Sequence, residues 1–253
     1  MRILIFLASL LFIISLPACN KDDDNNPSGA RLLDHYTTTA YPDTYHFDYN
    51  GSDQIIKTEY EEARTNIDIS GNQLHFTEYR KSESHEVSNA TYTLNAQGNI
   101  ISGHGSYSYN QSSPYTADIT YVYDNAGNLV SRTYVRSDGM TYAYLNTWTN
   151  GDITSIAWTL NNNPYLVLYY EYDLNLENKL KLDEENFEAA VNSFVGNANQ
   201  HLPKRRYTIF ANDPTIVQEY TYAYSLDSEG FPDTLTIDGV STVYHDVVTY
   251  HYK

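Results

Sequence analysis

A short turn motif, repeated along the chain, limits the fold more than any other feature of the sequence. In each copy an aromatic or β-branched segment leads into Asp or Asn, a glycine follows, and a second apolar segment comes next. The clearest copies are residues 92–100, 121–129 and 224–232, with shorter ones at 47–51, 67–72 and 148–153. Glycine supplies the positive φ that a tight hairpin needs, and the Asx side chain caps the turn. Six such turns predict at least twelve strands, and their irregular spacing favours a meander of unequal hairpins over a solenoid.

The aromatic composition also favours a sheet. The chain has 26 tyrosines against 8 phenylalanines. Tyrosine is common in strands and tolerates a half-wet face, because its ring can pack while its hydroxyl stays in water. We therefore predict an all-β fold: a curved antiparallel meander of hairpins that forms an open or partly closed barrel-like sheet.

One segment departs from the strand pattern and predicts an inserted helix near residues 184–195. Asp183 suits the helix N-cap and Gly196 suits its C-terminal end. Phe187, Val191 and Phe194 fall on one face of such a helix. A single amphipathic helix in a β meander is expected to plug or cap one concave face of the curved sheet.

The first 18 residues read as a lipoprotein signal peptide. One basic residue, Arg2, precedes an apolar run that is too short to span a bilayer comfortably. The run ends in Leu16-Pro17-Ala18-Cys19, which resembles the lipobox of bacterial lipoproteins, so we expect Cys19 to be acylated. The alternative is an ordinary signal peptide followed by a chance cysteine. Cys19 is the only cysteine in the chain, which excludes an intramolecular disulfide.

Residues 19–34 are expected to form the lipidated cysteine and a flexible acidic tether, followed by a single β domain over residues 35–253. The tether begins without apolar residues and cannot join a core there. Its start, Lys21-Asp22-Asp23, resembles the export signal of surface-exposed Bacteroidota lipoproteins; the alternative is a plain acidic spacer. The resemblance implies a protein that is lipid-anchored in the outer membrane and faces the cell exterior.

Net charge argues against a role on nucleic acid. Removal of residues 1–18 takes away one basic residue and no acidic one, which changes the net charge from −17 to −18. Such a domain repels DNA, RNA and anionic headgroups, so the lipid anchor is its only expected contact with a membrane.

Motifs for catalysis are missing from the sequence, and we predict a non-enzymatic protein without cofactor or metal. The chain has no Gly-x-Ser-x-Gly, no phosphate-binding loop and no His-Glu-x-x-His. His245 and His251 fall on one side of a predicted strand, where half-exposed strand histidines are the favoured interpretation over a metal site. A glycosidase pair stays open, because a sequence cannot set the separation of two carboxylates.

Taken together, these features resemble a family of Bacteroidota lipoproteins described as having a porin-like fold. The resemblance covers roughly residues 35–253 and rests on the Tyr-x-Tyr-Asp-x-x-Gly type turns at 121–127 and 222–230, the late helix, and the strand start at Pro203-Lys204. Similar turns occur in the YD repeats of Rhs-type toxins, from which this chain differs by its irregular spacing and its helix. The resemblance implies a fold and a location but no reaction. We expect "porin-like" to refer to curvature only, because alternate strand positions are Thr, Ser, Asn and Glu rather than an apolar lipid-facing band.

The hairpin with the clearest sequence pattern runs from residue 140 to 160 and turns at Asn150-Gly151. Pairing across this turn predicts an aliphatic face, with Leu145 and Ile156, that points to the core. The other face then carries Tyr142, Tyr144 and Trp148 as an aromatic stripe on which sugar rings could stack. The alternative is that this stripe covers a wet face of the sheet or lies under the helix.

Two functions of different classes remain open at this level. We favour a cell-surface, lipid-anchored binding module for a glycan or protein partner over a non-catalytic structural component of the envelope that packs its sheet against another subunit. An exposed aromatic stripe would favour the first, whereas a buried stripe with a bare sheet edge would favour the second. Thr234, in Asp233-Thr234-Leu235, resembles a short O-glycosylation acceptor motif used in Bacteroidota, but an ordinary turn-to-strand sequence is the favoured interpretation.

Overall fold

The computed structural model describes residues 31–40, 43–81, 86–108, 114–180, 193–240 and 242–253, without the side chains of 214–217. Sixteen antiparallel strands make up this part of the chain. Their bounds are β1 Leu33–Thr38, β2 Thr44–Tyr49, β3 Ile55–Glu59, β4 Ala63–Ser70, β5 Gln73–Arg80, β6 Glu86–Leu94, β7 Ile100–Tyr107, β8 Tyr115–Tyr123, β9 Leu129–Arg136, β10 Thr141–Thr149, β11 Asp152–Leu160, β12 Asn163–Glu177, β13 His201–Phe210, β14 Asp213–Leu226, β15 Pro232–Gly239 and β16 His245–Tyr252.

Each strand pairs with its neighbours in sequence, and β1 pairs with β16 to close the barrel. Tyr36 lies opposite Tyr250 in this closing pair, and the Lys253 N–H donates to the Leu32 carbonyl at 2.9 Å. The prediction of an all-β meander of hairpins is confirmed. The expectation of an open or partly closed sheet was wrong, because a sequence pattern of local hairpins does not reveal the pairing of the first strand with the last.

All six predicted turns connect consecutive strands, and all six lie at the same end of the barrel, where β1 begins. In four of them one side chain organises the turn. The Oδ1 atom of Asp124 accepts the N–H groups of Ala126 at 2.9 Å and Asn128 at 3.0 Å. Asn50, Asn95 and Asp227 make the equivalent pairs of bonds. Bonds from Asn128 and Ala126 hold the pKa of the Asp124 carboxyl below its usual value, despite some desolvation.

The core lies inside the barrel and forms three clusters on the inner face of the sheet. The largest joins β4 to β9 and includes Leu74, Tyr92 and Ile119. A second surrounds the β1–β16 closure, with Phe47 and Leu235, and a third covers β11 and β12, with Ile156 and Leu168. Alternate residues of these strands point outward, as the period of two requires.

The connection between β12 and β13 crosses the end of the barrel at which the six turns lie. Ser193 and Phe194 form a short 3₁₀ turn, and Phe194 is fully buried in the first cluster. Asn197 Nδ2 then donates to the Ala126 carbonyl at 2.9 Å, and the Gln200 N–H donates to the Gly151 carbonyl at 3.1 Å. Residues 181–192, which hold most of the helix predicted for 184–195 together with Phe187, lie outside the described residues, and the described ranges contain no α-helix.

Candidate functional site

Tyr142, Tyr144 and Trp148 share one face of β10, as predicted, but that face is the inner one. Leu145 is 52% exposed on the outside, so the prediction that it points to the core was wrong, whereas Ile156 of the same predicted face is buried inside. The predicted pairs Thr149–Asp152 and Trp148–Ile153 are present. Beyond them a bulge leaves Thr154 without an opposite residue, and this reverses the faces of β11 relative to the prediction. Ile156 and Trp158 therefore join the tyrosines inside the barrel.

Inside the barrel these aromatic side chains pack against each other and against an arginine. The rings of Tyr144 and Trp158 meet edge to face with centroids 4.8 Å apart. The Arg132 guanidinium lies 4.6 Å from the centre of the Tyr144 ring, and Trp148 Nε1 donates to the Leu129 carbonyl at 2.8 Å. Burial raises the pKa of Tyr144. The stripe is thus part of the inner wall, and a ligand on the outer surface does not reach it.

The other predicted site residues fall in different parts of the chain. Cys19, Lys21, Asp22 and Asp23 lie outside the described residues. Thr234 sits within β15, with its Oγ1 atom 2.7 Å from Ser225 Oγ. Within the described ranges, no group of three His, Cys, Asp or Glu side chains is arranged to hold a metal ion, and no helix is long and apolar enough to cross a membrane.

A cavity of about 320 Å³ opens at the end of the barrel opposite the six turns, between the ends of β6, β7, β8 and β9. We call it the rim cavity. Its lining is mostly hydroxyl-bearing and aromatic: Glu86, Val87, Ser88, Asn89, Ser106, Tyr107, Ser108, Pro114, Tyr115, Thr116 and Ser137. The size is at the lower end of the range for small-molecule pockets, about 300–1,000 Å³.

Two tyrosines and an arginine stiffen one wall of the rim cavity. The rings of Tyr107 and Tyr115 stack with centroids 5.2 Å apart and planes 19° from parallel. The Arg136 guanidinium lies 3.6 Å from the centre of the Tyr115 ring and also pairs with Asp138. Tyr115 is therefore held between Tyr107 and Arg136, which fixes the orientation of the wall before any ligand arrives.

Serine hydroxyls fix the backbone around the cavity. Ser108 Oγ donates to the carbonyls of Glu86 and Val87 at 3.2 and 3.3 Å, which joins β7 to the start of β6. Ser137 Oγ accepts the N–H of Thr116 at 3.0 Å, which joins β9 to β8. The strand ends around the cavity are thus tied to one another.

Small residues beneath the tyrosine wall leave the space that the Tyr107 side chain occupies. Ala90, Gly105 and Ala117 lie side by side on the inner face of β6, β7 and β8. A Cβ atom on Gly105 would come within 2.8 Å of Tyr107 Oη and 3.0 Å of the Ala90 Cβ. Sequence reasoning missed this site, but the signal was Gly103 and Gly105 two residues apart in one strand, a pattern that marks close approach of a neighbouring group.

Neither a protein-family model nor a curated protein sequence matches the chain. Two solved structures resemble it closely in fold. A porin-like protein from Bacteroides uniformis shares 15% identity at a TM-score of 0.65, over 87% of this chain and 98% of that one. A porin-like protein from Bacteroides vulgatus shares 15% identity at a TM-score of 0.62, over 88% of this chain and 99% of that one. The chain therefore has a porin-like fold, as the sequence resemblance implied. The similarity is not limited to a curved sheet, as we had expected, because the sheet closes into a barrel.

Proposed function

We propose that the protein is a lipid-anchored binding module of the outer membrane, facing the cell exterior, that holds a small polar ligand with a ring, such as a saccharide, in the rim cavity. The observation that carries this proposal is the cavity itself, where a stacked tyrosine wall meets a lining of serine and threonine hydroxyls. Hydroxyl groups that both donate and accept hydrogen bonds match the hydroxyls of a saccharide, and aromatic side chains beside them can contact its C–H groups.

The position of the cavity suits an anchored protein. The segment that leads to Cys19 joins the barrel at Arg31, whose guanidinium pairs with Asp227 in one of the six turns. The rim cavity lies at the other end of the strands. An anchor on Cys19 therefore attaches to the end of the barrel that is remote from the proposed binding site.

The charges around the cavity favour a neutral ligand over an anion. Arg136 is the cation nearest the tyrosine wall, and it is already paired with Asp138 at 2.5 Å. Glu86 contributes a carboxylate to the lining. A negatively charged ligand would meet that carboxylate and a neutralised arginine, whereas a neutral polyol meets groups that both donate and accept hydrogen bonds.

Calorimetric titration of the full chain with a panel of neutral mono- and disaccharides tests the proposal. Loss of the Tyr107 ring in Tyr107→Ala should weaken binding roughly two- to tenfold, the value of one aromatic contact. Ser88→Ala removes a hydroxyl from the lining on the inner face, where Ser88 lies opposite Tyr107, and it should also weaken binding in a protein that keeps its core if Tyr107→Ala fails to fold. Tyr207→Ala is the matched control, since Tyr207 stacks on Tyr169 with centroids 4.9 Å apart on the outer wall. Absence of binding across the panel, or binding as strong in Ser88→Ala as in the unsubstituted protein, would contradict the proposal.

A further inference from the structure

One side of the outer surface, on β8 to β13, carries no charge across three adjacent rows of residues. The middle row follows the strand register through Val122, Ser131, Leu145, Ala157, Val167 and Ile209. Leu145 and Val122 are 52% and 47% exposed. The rows on either side hold only Thr, Ala, Ser, Tyr and one proline, Pro164, at their paired positions. We call this surface the neutral wall.

The opposite side of the barrel is built differently. β4 lies eight strands from β12 in a ring of sixteen. A row of outward-facing residues starts on β4 and follows the strand pairing to β8. It consists of Asp68, His75, Thr91, His104 and Asp118. His104 Nδ1 lies 2.7 Å from Asp118 Oδ1, and both side chains are exposed to solvent. The barrel exterior is therefore amphipathic around its circumference.

We propose that the neutral wall rests against a lipid surface, so that the barrel lies on its side at the membrane. This inference rests on the lipid anchor of the proposed function. The eleven residues between Cys19 and Arg31 span at most roughly 40 Å, which is enough for the side of an anchored barrel to reach the lipid.

The height of the wall argues for contact with the membrane rather than passage through it. Rows on one face of a strand are about 6.6–6.8 Å apart, so three rows cover about 13 Å. A membrane-spanning barrel presents an apolar band about 25 Å tall around its whole circumference. The neutral wall has about half that height and occupies only six of the sixteen strands.

The residues that border the wall match a lipid interface. Tyr169 and Tyr207 stack on each other in the row toward the six turns, and tyrosines are enriched at the depth of lipid headgroups. A second copy of the chain is a weaker candidate, because two anchored molecules, each with a net charge of −18 after loss of residues 1–18, repel each other as they approach.

Spin labels on the full chain, reconstituted on neutral phosphatidylcholine vesicles, test this inference. Leu145→Cys places a label on the neutral wall, and Asp68→Cys is the matched control at an outward position of β4. The collision rate of each label is measured with oxygen, which concentrates in lipid, and with a water-soluble nickel chelate. We expect a several-fold higher oxygen-to-nickel ratio at position 145 than at position 68.

Equal ratios at the two positions would overturn the inference and leave the anchor intact. A label at position 145 that is shielded from both reagents, in a protein that runs as a dimer, would overturn it in favour of a second copy. The unsubstituted protein should take up no label, because acylation consumes the Cys19 thiol. Labelling of that protein would contradict the anchor and this inference together.

Discussion

His201 Nδ1 lies 2.7 Å from Asp152 Oδ2, and the same carboxylate accepts the backbone N–H of His201 at 2.9 Å. Asp152 is 2% exposed at the start of β11, and His201 begins β13. Two strands that are not neighbours are thus joined at the end of the barrel that the 193–200 segment crosses. The pair holds the start of β13 against the start of β11 at the point where the chain re-enters the sheet after its long connection.

Asp152→Asn should lower the free energy of unfolding by about 1–3 kcal/mol, because it replaces an acceptor of two buried bonds. Denaturant unfolding measures the change. The control is Asp118→Asn, whose partner His104 stands 2.7 Å away but with both side chains largely exposed. That variant should stay within about 0.5 kcal/mol of the wild type. Equal losses in the two variants would show that burial of Asp152 does not matter.

Phe194→Ala should cost about 3–5 kcal/mol of unfolding free energy, because Phe194 is fully buried among the residues of the largest core cluster. Leu174→Ala is the control, since Leu174 is 67% exposed. Thermal and denaturant unfolding should separate the two variants clearly. A Phe194→Ala protein as stable as Leu174→Ala would mean that the segment after residue 192 is not part of the core.

Asp246 should make the free energy of unfolding depend on pH in the acid range. Desolvation works to raise the pKa of Asp246, but bonds from the N–H groups of Ala40 and Thr39 and from the Thr39 hydroxyl outweigh it and lower the pKa below 3.8. A lowered carboxyl pKa gives stability that is present above pH 3.8 and lost as pH falls through the folded-state value.

Asp246→Asn should therefore be less stable than the wild type at pH 7, and the difference should shrink toward about pH 2. Unfolding curves at several pH values measure it. Asp238→Asn, a change to an exposed carboxylate on the adjacent strand, should leave stability at pH 7 nearly unchanged. A difference between Asp246→Asn and the wild type that is constant with pH would contradict the argument.

Acylation of Cys19 predicts that a fatty-acid label enters the wild-type protein and is absent from Cys19→Ala. The thiol is the only one in the chain, so no second site can take up the label through a cysteine. Gel autoradiography after growth with labelled palmitate is the measurement. Equal labelling of both proteins would disprove the lipobox interpretation.

Surface display predicts that protease added to intact cells removes the barrel domain. Replacement of Lys21, Asp22 and Asp23 by alanine should retain the lipid but leave the domain protected inside the cell envelope. If protease removes the replaced protein as readily as the wild type, the three residues are a spacer and not an export signal.

The turns could be predicted from the sequence because their geometry is local. Asn95, Asp124 and Asp227 each accept N–H groups two and four residues ahead, and a glycine three residues ahead takes positive φ. All the atoms involved lie within five consecutive residues. A sequence pattern of that length holds all the information that the turn needs.

Two features could not be predicted, because they depend on distant parts of the chain: which face of each strand points into the barrel, and the closure of the barrel itself. The bulge at Thr154 reverses the faces of β11, and no residue type in β10 or β11 marks it. The rim cavity needs Ala90, Gly105 and Ala117 on three different strands in register. Tyr36 and Tyr250 pair across almost the whole chain, so nothing near either residue indicates its partner.

Pairing of the first strand with the last has a consequence for how the protein is made. While the chain is synthesised from its N-terminus, β1 has no partner until His245–Tyr252 is made, and the growing sheet keeps two unpaired edges. Such edges are templates for association with other chains, and folds that depend on distant pairings form slowly. Until its two ends meet, the molecule therefore exposes two strand edges to other chains, and loss of the last eight strand residues alone would leave the other fifteen strands prone to aggregate.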